Sequence, residues 1–240
     1  MYNFTKTNMK RTFSIVLLLF IVIKSNSQSS NNDWPQIPGF GPDSPITLTG
    51  QETFLGVMGV AVLSYTLAEF IFKDEENLNY YQVRTGVNKE HVWGLRNVYH
   101  QNFGVENKVA SWFTFAAEFN LQQWSDRTPN IGDRNKFGVG AGIMTYYRWY
   151  LFGKKRISPY LEYGTGLFYG FKKFPHNGSN FTFNHSTQLG VEYTFNNKNR
   201  LRLGYGQFHQ SNNGLIQPNP GYDANGFSIS YSWFWKTSKW

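Results

Sequence analysis

From about Leu78 to the C-terminus the chain alternates between two chemically different faces with a period of two, and no other feature constrains its fold as tightly. In Phe137 to Leu151, the residues Phe137, Val139, Ala141, Ile143, Tyr147, Trp149 and Leu151 share one parity, while Gly138, Gly140, Gly142, Tyr146 and Arg148 share the other. The pattern returns with Leu161, Tyr163, Leu167, Tyr169 and Phe171 against Glu162, Gly164, Gly166 and Gly170. It returns again with Phe181, Phe183, Leu189, Val191, Tyr193 and Phe195 against Thr182, Asn184, Gln188 and Glu192, and in Phe113, Phe115, Phe119 and Leu121 opposite Thr114, Glu118 and Asn120. Successive strand residues point to opposite faces, so each segment reads as a strand with one greasy side. A soluble sandwich alternates too, but its closed face is apolar. Glycines and charges on the closed face suit a narrow polar lumen, with the aromatic side turned to lipid. Composition agrees: 22 Phe, 15 Tyr and 8 Trp stand beside 23 Gly in 240 residues.

The connections give a separate check. The stretches near 212–224, 172–180 and 125–136 are long and polar, whereas those near 196–199 and 152–156 are short. Long external loops alternating with short periplasmic turns are the habit of outer-membrane barrels. Weaker segments near 79–87 and 91–99 bring the count to about eight strands. The fold class expected is therefore all-β, an eight-stranded antiparallel transmembrane β-barrel over 78–240, with one N-terminal helix as an option. The last strand sets Phe227, Ile229, Tyr231, Trp233 and Trp235 against Ser228, Ser230 and Ser232 and runs to an aromatic C-terminal residue, an ending of the kind read by barrel-assembly machinery.

Upstream, Lys6, Lys10 and Arg11 precede the apolar run Phe13 to Ile23, with small residues at Ser25 and Ser27. Eleven residues are too few to span about 30 Å of hydrocarbon as a helix, so residues 1–27 read as a cleaved signal peptide. Residues 28–47 are polar and proline-punctuated, a linker. Within 48–74, Phe54 to Phe72 would reach about 28 Å as a helix. A helix packed at the periplasmic end of the barrel, a spanning helix and a strand all remain open there, because Gly56, Gly59, Ser64, Tyr65 and Glu69 weaken a lipid-facing reading.

Charge and cysteine content narrow the partners. The first 27 residues hold four cations (Lys6, Lys10, Arg11 and Lys24) and no acid, so the formal +8 falls to 19 basic against 15 acidic residues, or +4. With no cationic tract, nucleic acid is not an expected partner, while an anionic membrane surface is compatible. The absence of cysteine rules out a disulfide framework, a thiolate metal site and a lipoprotein thiol. His91, His100, His176 and His185 show no HxH or HExxH spacing, so surface or turn positions are expected for them, with no metal and no cofactor. Glu118, Glu162, Glu192, Arg148 and Arg202 have the inward parity; they fill the lumen as pairs, line a phospholipid-selective pore or form a second site.

The penultimate strand, LRLGYGQFHQSNNG, places Leu201, Leu203, Tyr205, Gln207, His209 and Ser211 on one face. His209 and Ser211 thus share the lipid-facing side at a Cα spacing of about 7 Å, near enough for an imidazole to reach a hydroxyl where the strand twists. Ionisable groups facing hydrocarbon are functional candidates, although a headgroup-level position would make both ordinary. Together with the following Asn212, Gly214 and Gln217-Pro218-Asn219-Pro220-Gly221-Tyr222-Asp223, the motif resembles that of the outer-membrane lipid A 3-O-deacylase family, the PagL type. The resemblance implies an eight-stranded barrel that removes an ester-linked acyl chain from lipid A, with lipopolysaccharide as substrate. Ser211 would be the nucleophile, His209 the base and Asp223 the orienting acid; the family acid is glutamate, one methylene longer. Asn212, Gly214 and Asn219 fall at oxyanion or substrate-positioning positions, although Asn219 between two prolines equally suits a turn. Two other readings stay open, a non-catalytic structural or adhesive barrel and a phospholipid hydrolase.

Overall fold

A computed structural model describes residues 59–67, 77–90, 94–129, 136–152, 155–175, 178–212 and 221–238. The expected signal peptide and linker lie outside the described residues, as do Gly214 and Asn219. Eight strands follow in order: β1 (Asn77–Glu90), β2 (Arg96–Ala110), β3 (Phe113–Asp126), β4 (Phe137–Tyr150), β5 (Ile157–Phe174), β6 (Ser179–Thr194), β7 (Arg200–Ser211) and β8 (Tyr222–Ser238). Each pairs antiparallel with its neighbours, and β8 closes on β1.

Two boundaries differ from the sequence expectation. β2 begins at Arg96 and continues to Ala110, because its outward face carries Gln101 and its inward face Val98, which blurs the alternation that marks a strand. The polar stretch 172–180 is largely strand, and only 175–178 link β5 to β6. Backbone ladder bonds pair regardless of side-chain polarity, so a strand can outrun its greasy face.

The alternation becomes a wall. Outward side chains such as Ile143 (63% exposed), Phe227 (66%) and Leu203 (58%) form a continuous apolar surface of a kind that lipid solvates and water does not. Tyr81 stacks on Trp235, and Tyr231 meets Trp233 edge-on, near the end of the barrel where the β6–β7 turn lies. Following cross-strand partners, one row runs Tyr81, Val105, Ala117, Thr145, Thr165, His185, His209, Asp223. Ala224 then pairs with Glu90, so the row returns to β1 one residue beyond Glu90, a stagger of ten residues. Such a stagger requires tilted strands, and it carries the row from the short-turn end on β1 to the long-loop end on β8.

The lumen is filled. Arg84 holds Glu162 with two bonds of 2.5 and 2.8 Å, Arg148 bridges Glu162 and Glu106, and Arg202 bridges Glu106 (2.7 Å) and Glu192 (2.7 Å). All of these side chains are buried. Toward the long-loop end, Trp124, Phe168, Phe174, Phe208 and Tyr222 pack together and close the mouth. Glycine makes room there, since a Cβ at Gly138 would overlap the Trp124 ring. The inward charges therefore pair and fill the lumen instead of lining a pore.

Residues 59–67 form a helix, α1, that lies on the outside of the barrel. Ala61 and Ser64, three apart and so on one helix face, are fully buried. Trp149 Nε1 donates to Ser64 Oγ at 3.0 Å, and Tyr65 meets Phe115 edge-on. Ala61 shares an apolar cluster with Trp112, Phe113, Tyr147, Trp149, Leu161 and Tyr163, which explains why these outward residues are buried. The helix thus sits on the lipid-facing wall beside the Ser111–Trp112 turn, and no described helix is long and apolar enough to cross a membrane.

Candidate active site

His209 and Ser211 occupy the last turn-ward residues of β7, on the outward face shared with Leu203 and Tyr205. Strand parity alone puts them there; cross-strand register supplies the third group. Asp223 is the direct partner of His209 on β8. Opposed residues in an antiparallel pair have Cβ atoms about 5 Å apart, so aspartate suffices where a more distant acid would need a longer stem. Its Oδ1 lies 2.7 Å from His209 Nδ1, and His209 Nε2 lies 3.0 Å from Ser211 Oγ. A carboxylate only accepts, which assigns the proton to Nδ1 and leaves Nε2 to accept from the serine hydroxyl.

The acid is aimed by what precedes it. Gly221 adopts φ of +65°, a left-handed conformation that glycine takes without strain. Tyr222 then turns inward, packs on Phe174 and Phe208, and donates its hydroxyl to the Asn88 carbonyl at 3.2 Å. With Tyr222 fixed in the mouth, the next residue must face outward. Ser211 is 6% exposed, and the His209 and Asp223 side chains are each 21% exposed, so the relay is recessed into the wall without being sealed.

Around it, Phe183 pairs with Ser211 across β6–β7 and meets Phe181 edge-on, giving the Ser211 hydroxyl an apolar flank. Asn212 is buried and its amide donates to Ser179 Oγ at 3.0 Å. Gly214 and Asn219 cannot be placed among these groups, being outside the described residues.

One neighbour escaped the sequence reading. His185, expected at the surface or in a turn, is buried on β6 directly opposite His209, with the two ring centroids 6.1 Å apart and the planes at 20°. Its Nδ1 lies 3.2 Å from both Tyr163 Oη and Thr165 Oγ1. The signal was present, for His185 shares the outward parity of Phe181 and Phe183, the same test that singled out His209. His100 likewise is not at the surface but buried within β2. Among the described residues no group of histidines and acids could hold a metal ion.

A family model described as lipid A 3-O-deacylase (PagL) matches residues 80–232. The chain belongs to the PagL family. The matched stretch runs from β1 into β8 and includes His209, Ser211 and Asp223. Among solved structures, the chain is similar to the outer membrane enzyme PagL, at 17% identity and a TM-score of 0.46, covering 62% of this chain and 97% of that one. It is also similar to Neisserial surface protein A (11% identity, TM-score 0.42, 65% and 95% covered) and to outer membrane protein AlkL (14%, 0.38, 70% and 92%). No curated protein matches.

Proposed function

We propose that this protein is an outer-membrane esterase that removes an ester-linked acyl chain, at the 3-O position by family, from lipid A. The observation that carries this reading is the continuous relay Asp223–His209–Ser211, with bonds of 2.7 and 3.0 Å, on the lipid-facing wall at the end of the barrel that bears the long loops. Lipid A occupies the outer leaflet, and an ester diffusing in that leaflet reaches a nucleophile on the wall without leaving the membrane. A filled lumen offers no competing route.

His209 Nε2 takes the Ser211 proton as Oγ attacks the ester carbonyl, and Asp223 stabilises the imidazolium that forms. The collapsing tetrahedral intermediate receives that proton on the leaving sugar oxygen, which leaves an acyl-serine. Water, deprotonated by the same His209, then releases the fatty acid and regenerates Ser211. The main-chain N–H of Asn212, whose side-chain amide is engaged with Ser179, together with Gly214 and Asn219, supplies hydrogen-bond donors to the developing oxyanion, a contribution that for one such donor is commonly about 10²–10³ in rate. No metal or cofactor enters. Residues 1–27 direct export and are removed, 28–47 act as a linker, and the barrel-assembly machinery inserts the strands.

The test is purified protein incubated with lipopolysaccharide in detergent, followed by mass spectrometry of the lipid A. Loss of one acyl mass with wild type and none with Ser211→Ala is the expected result. No loss across a range of detergents, or release that persists in Ser211→Ala, overturns it, and release from phosphatidylethanolamine vesicles in place of lipid A would reassign the substrate.

A further inference from the structure

His209 stands recessed in the outer wall with its side chain 21% exposed, and its polar contacts are Asp223 Oδ1 on Nδ1 and the Ser211 hydroxyl on Nε2. Rotation about the Asp223 bond would carry Nε2 away from Ser211. The cross-strand neighbour on the side opposite Asp223 is His185, so the base stands between an acid on β8 and a second imidazole on β6.

That second imidazole is itself held. Tyr163 Oη and Thr165 Oγ1, both on β5, each approach its Nδ1 at 3.2 Å. The Tyr163 ring runs nearly parallel to it, at 17° and 6.5 Å between centroids. Three rings therefore stand in a near-parallel row, Tyr163, His185 and His209. Tyr163 is only 2% exposed because it belongs to the cluster capped by Ala61 of α1. The cluster that holds Tyr163 also takes in Ala61 of α1, a helix that precedes the family-matched residues.

Polar side chains on a lipid-facing wall are costly, and an apolar trio would satisfy packing there without a hydrogen bond to lose. Retaining His185 with two hydroxyl partners fixes its ring plane, which an aliphatic side chain would not do. A fixed plane beside His209 limits the rotation that would break the Ser211 contact. We infer that His185, held by Tyr163 and Thr165, is a positioning residue that keeps His209 aligned on Ser211. The inference rests on the reading of His209 as the base.

A positioning role separates kcat from KM, since a misaligned base leaves substrate binding intact, and misplacement by about 1 Å costs roughly 10²-fold in rate. The experiment measures kcat and KM on a soluble dodecanoyl ester in detergent micelles for wild type, His185→Ala, His185→Phe, Tyr163→Phe, Ser211→Ala and His209→Ala, with folding checked by heat-modifiable gel mobility. His185→Ala is expected to lower kcat by about 10- to 100-fold with KM within about twofold. His185→Phe, which keeps a ring plane, recovers at least half of that loss on a logarithmic scale, and Tyr163→Phe lowers kcat by about threefold to tenfold.

A kcat for His185→Ala within about threefold of wild type overturns the inference. So does a KM rising in step with the fall in kcat, a His185→Phe enzyme as slow as His185→Ala, or a Tyr163→Phe enzyme matching wild type. If His185→Ala does not fold, Tyr163→Phe decides the matter: a kcat about threefold to tenfold below wild type supports the inference and a wild-type kcat overturns it. Hydrolysis that survives Ser211→Ala and His209→Ala sinks the esterase reading itself, whereas its loss in those two alongside an unaffected His185→Ala sinks only the positioning role.

Discussion

Replacing Asp223 by asparagine is the sharpest perturbation of the relay, because it keeps the shape and removes the charge. The imidazolium and the carboxylate stand with their charge centres about 4 Å apart, which at an effective dielectric of about 20 corresponds to about 4 kcal/mol of attraction. The two side chains are each 21% exposed, so screening trims this figure, and survival of between about half and nearly all of it leaves about 2–4 kcal/mol in the transition state. That range corresponds to a fall in kcat of about 30- to 1000-fold. Asparagine also offers an N–H as readily as an oxygen to His209 Nδ1, which favours the unproductive tautomer and pushes the loss toward the upper end. Asp223→Ala should fall in the same range and remain above the Ser211→Ala background, since without its acid His209 still faces the nucleophile. The assay is the initial rate of fatty-acid release from lipopolysaccharide, followed by mass spectrometry at saturating substrate. A rate within about threefold of wild type for Asp223→Asn would refute the electrostatic argument. A loss for Asp223→Ala equal to or larger than that of Ser211→Ala would show that the acid does more than orient and stabilise.

Other perturbations read the scaffold. Arg148→Met leaves Glu162 and Glu106 short of a partner in the lumen and should destabilise the barrel by about 3–5 kcal/mol in urea unfolding from detergent micelles, with less than about 1 kcal/mol counting against the network. At Gly221 the nearest atom to an added Cβ is His209 Cε1 at 3.9 Å, so space is available and only the left-handed backbone objects. Gly221→Ala should therefore cost roughly 1–2 kcal/mol and slow catalysis, while Gly221→Asn, better suited to that conformation, should lose less; equal losses in melting temperature would point to packing instead. Ile143→Arg on the exposed wall should reduce stability by about 2–4 kcal/mol when refolded into lipid vesicles, and a neutral outcome would mean that this face does not meet hydrocarbon.

Much of the molecule was decided locally. Whether a side chain faces lipid or lumen depends only on its parity within a strand, and parity is written in the sequence. Ile143 outward, Arg148 inward, and His209 with Ser211 together on the lipid side all follow from counting by two. The count of eight strands also followed, because turn residues interrupt the alternation. Strand ends were less legible where the alternation weakens, as at Gln101 and Val98 in β2.

Register is a different kind of quantity. Which residue of β8 meets His209, and which of β6, depends on the stagger that closes the barrel, a property of all eight ladders at once. Sequence supplied Asp223 as an acid downstream of the pair, but only the register of the β7–β8 ladder placed it directly across from His209, where a short carboxylate reaches. The β6–β7 ladder likewise put His185 on the other side of His209. The sequence by itself thus determined the faces, since side-chain direction in a strand is fixed by its neighbours along the chain. Tertiary structure decided the neighbours across strands, because pairing is chosen only when the whole sheet closes.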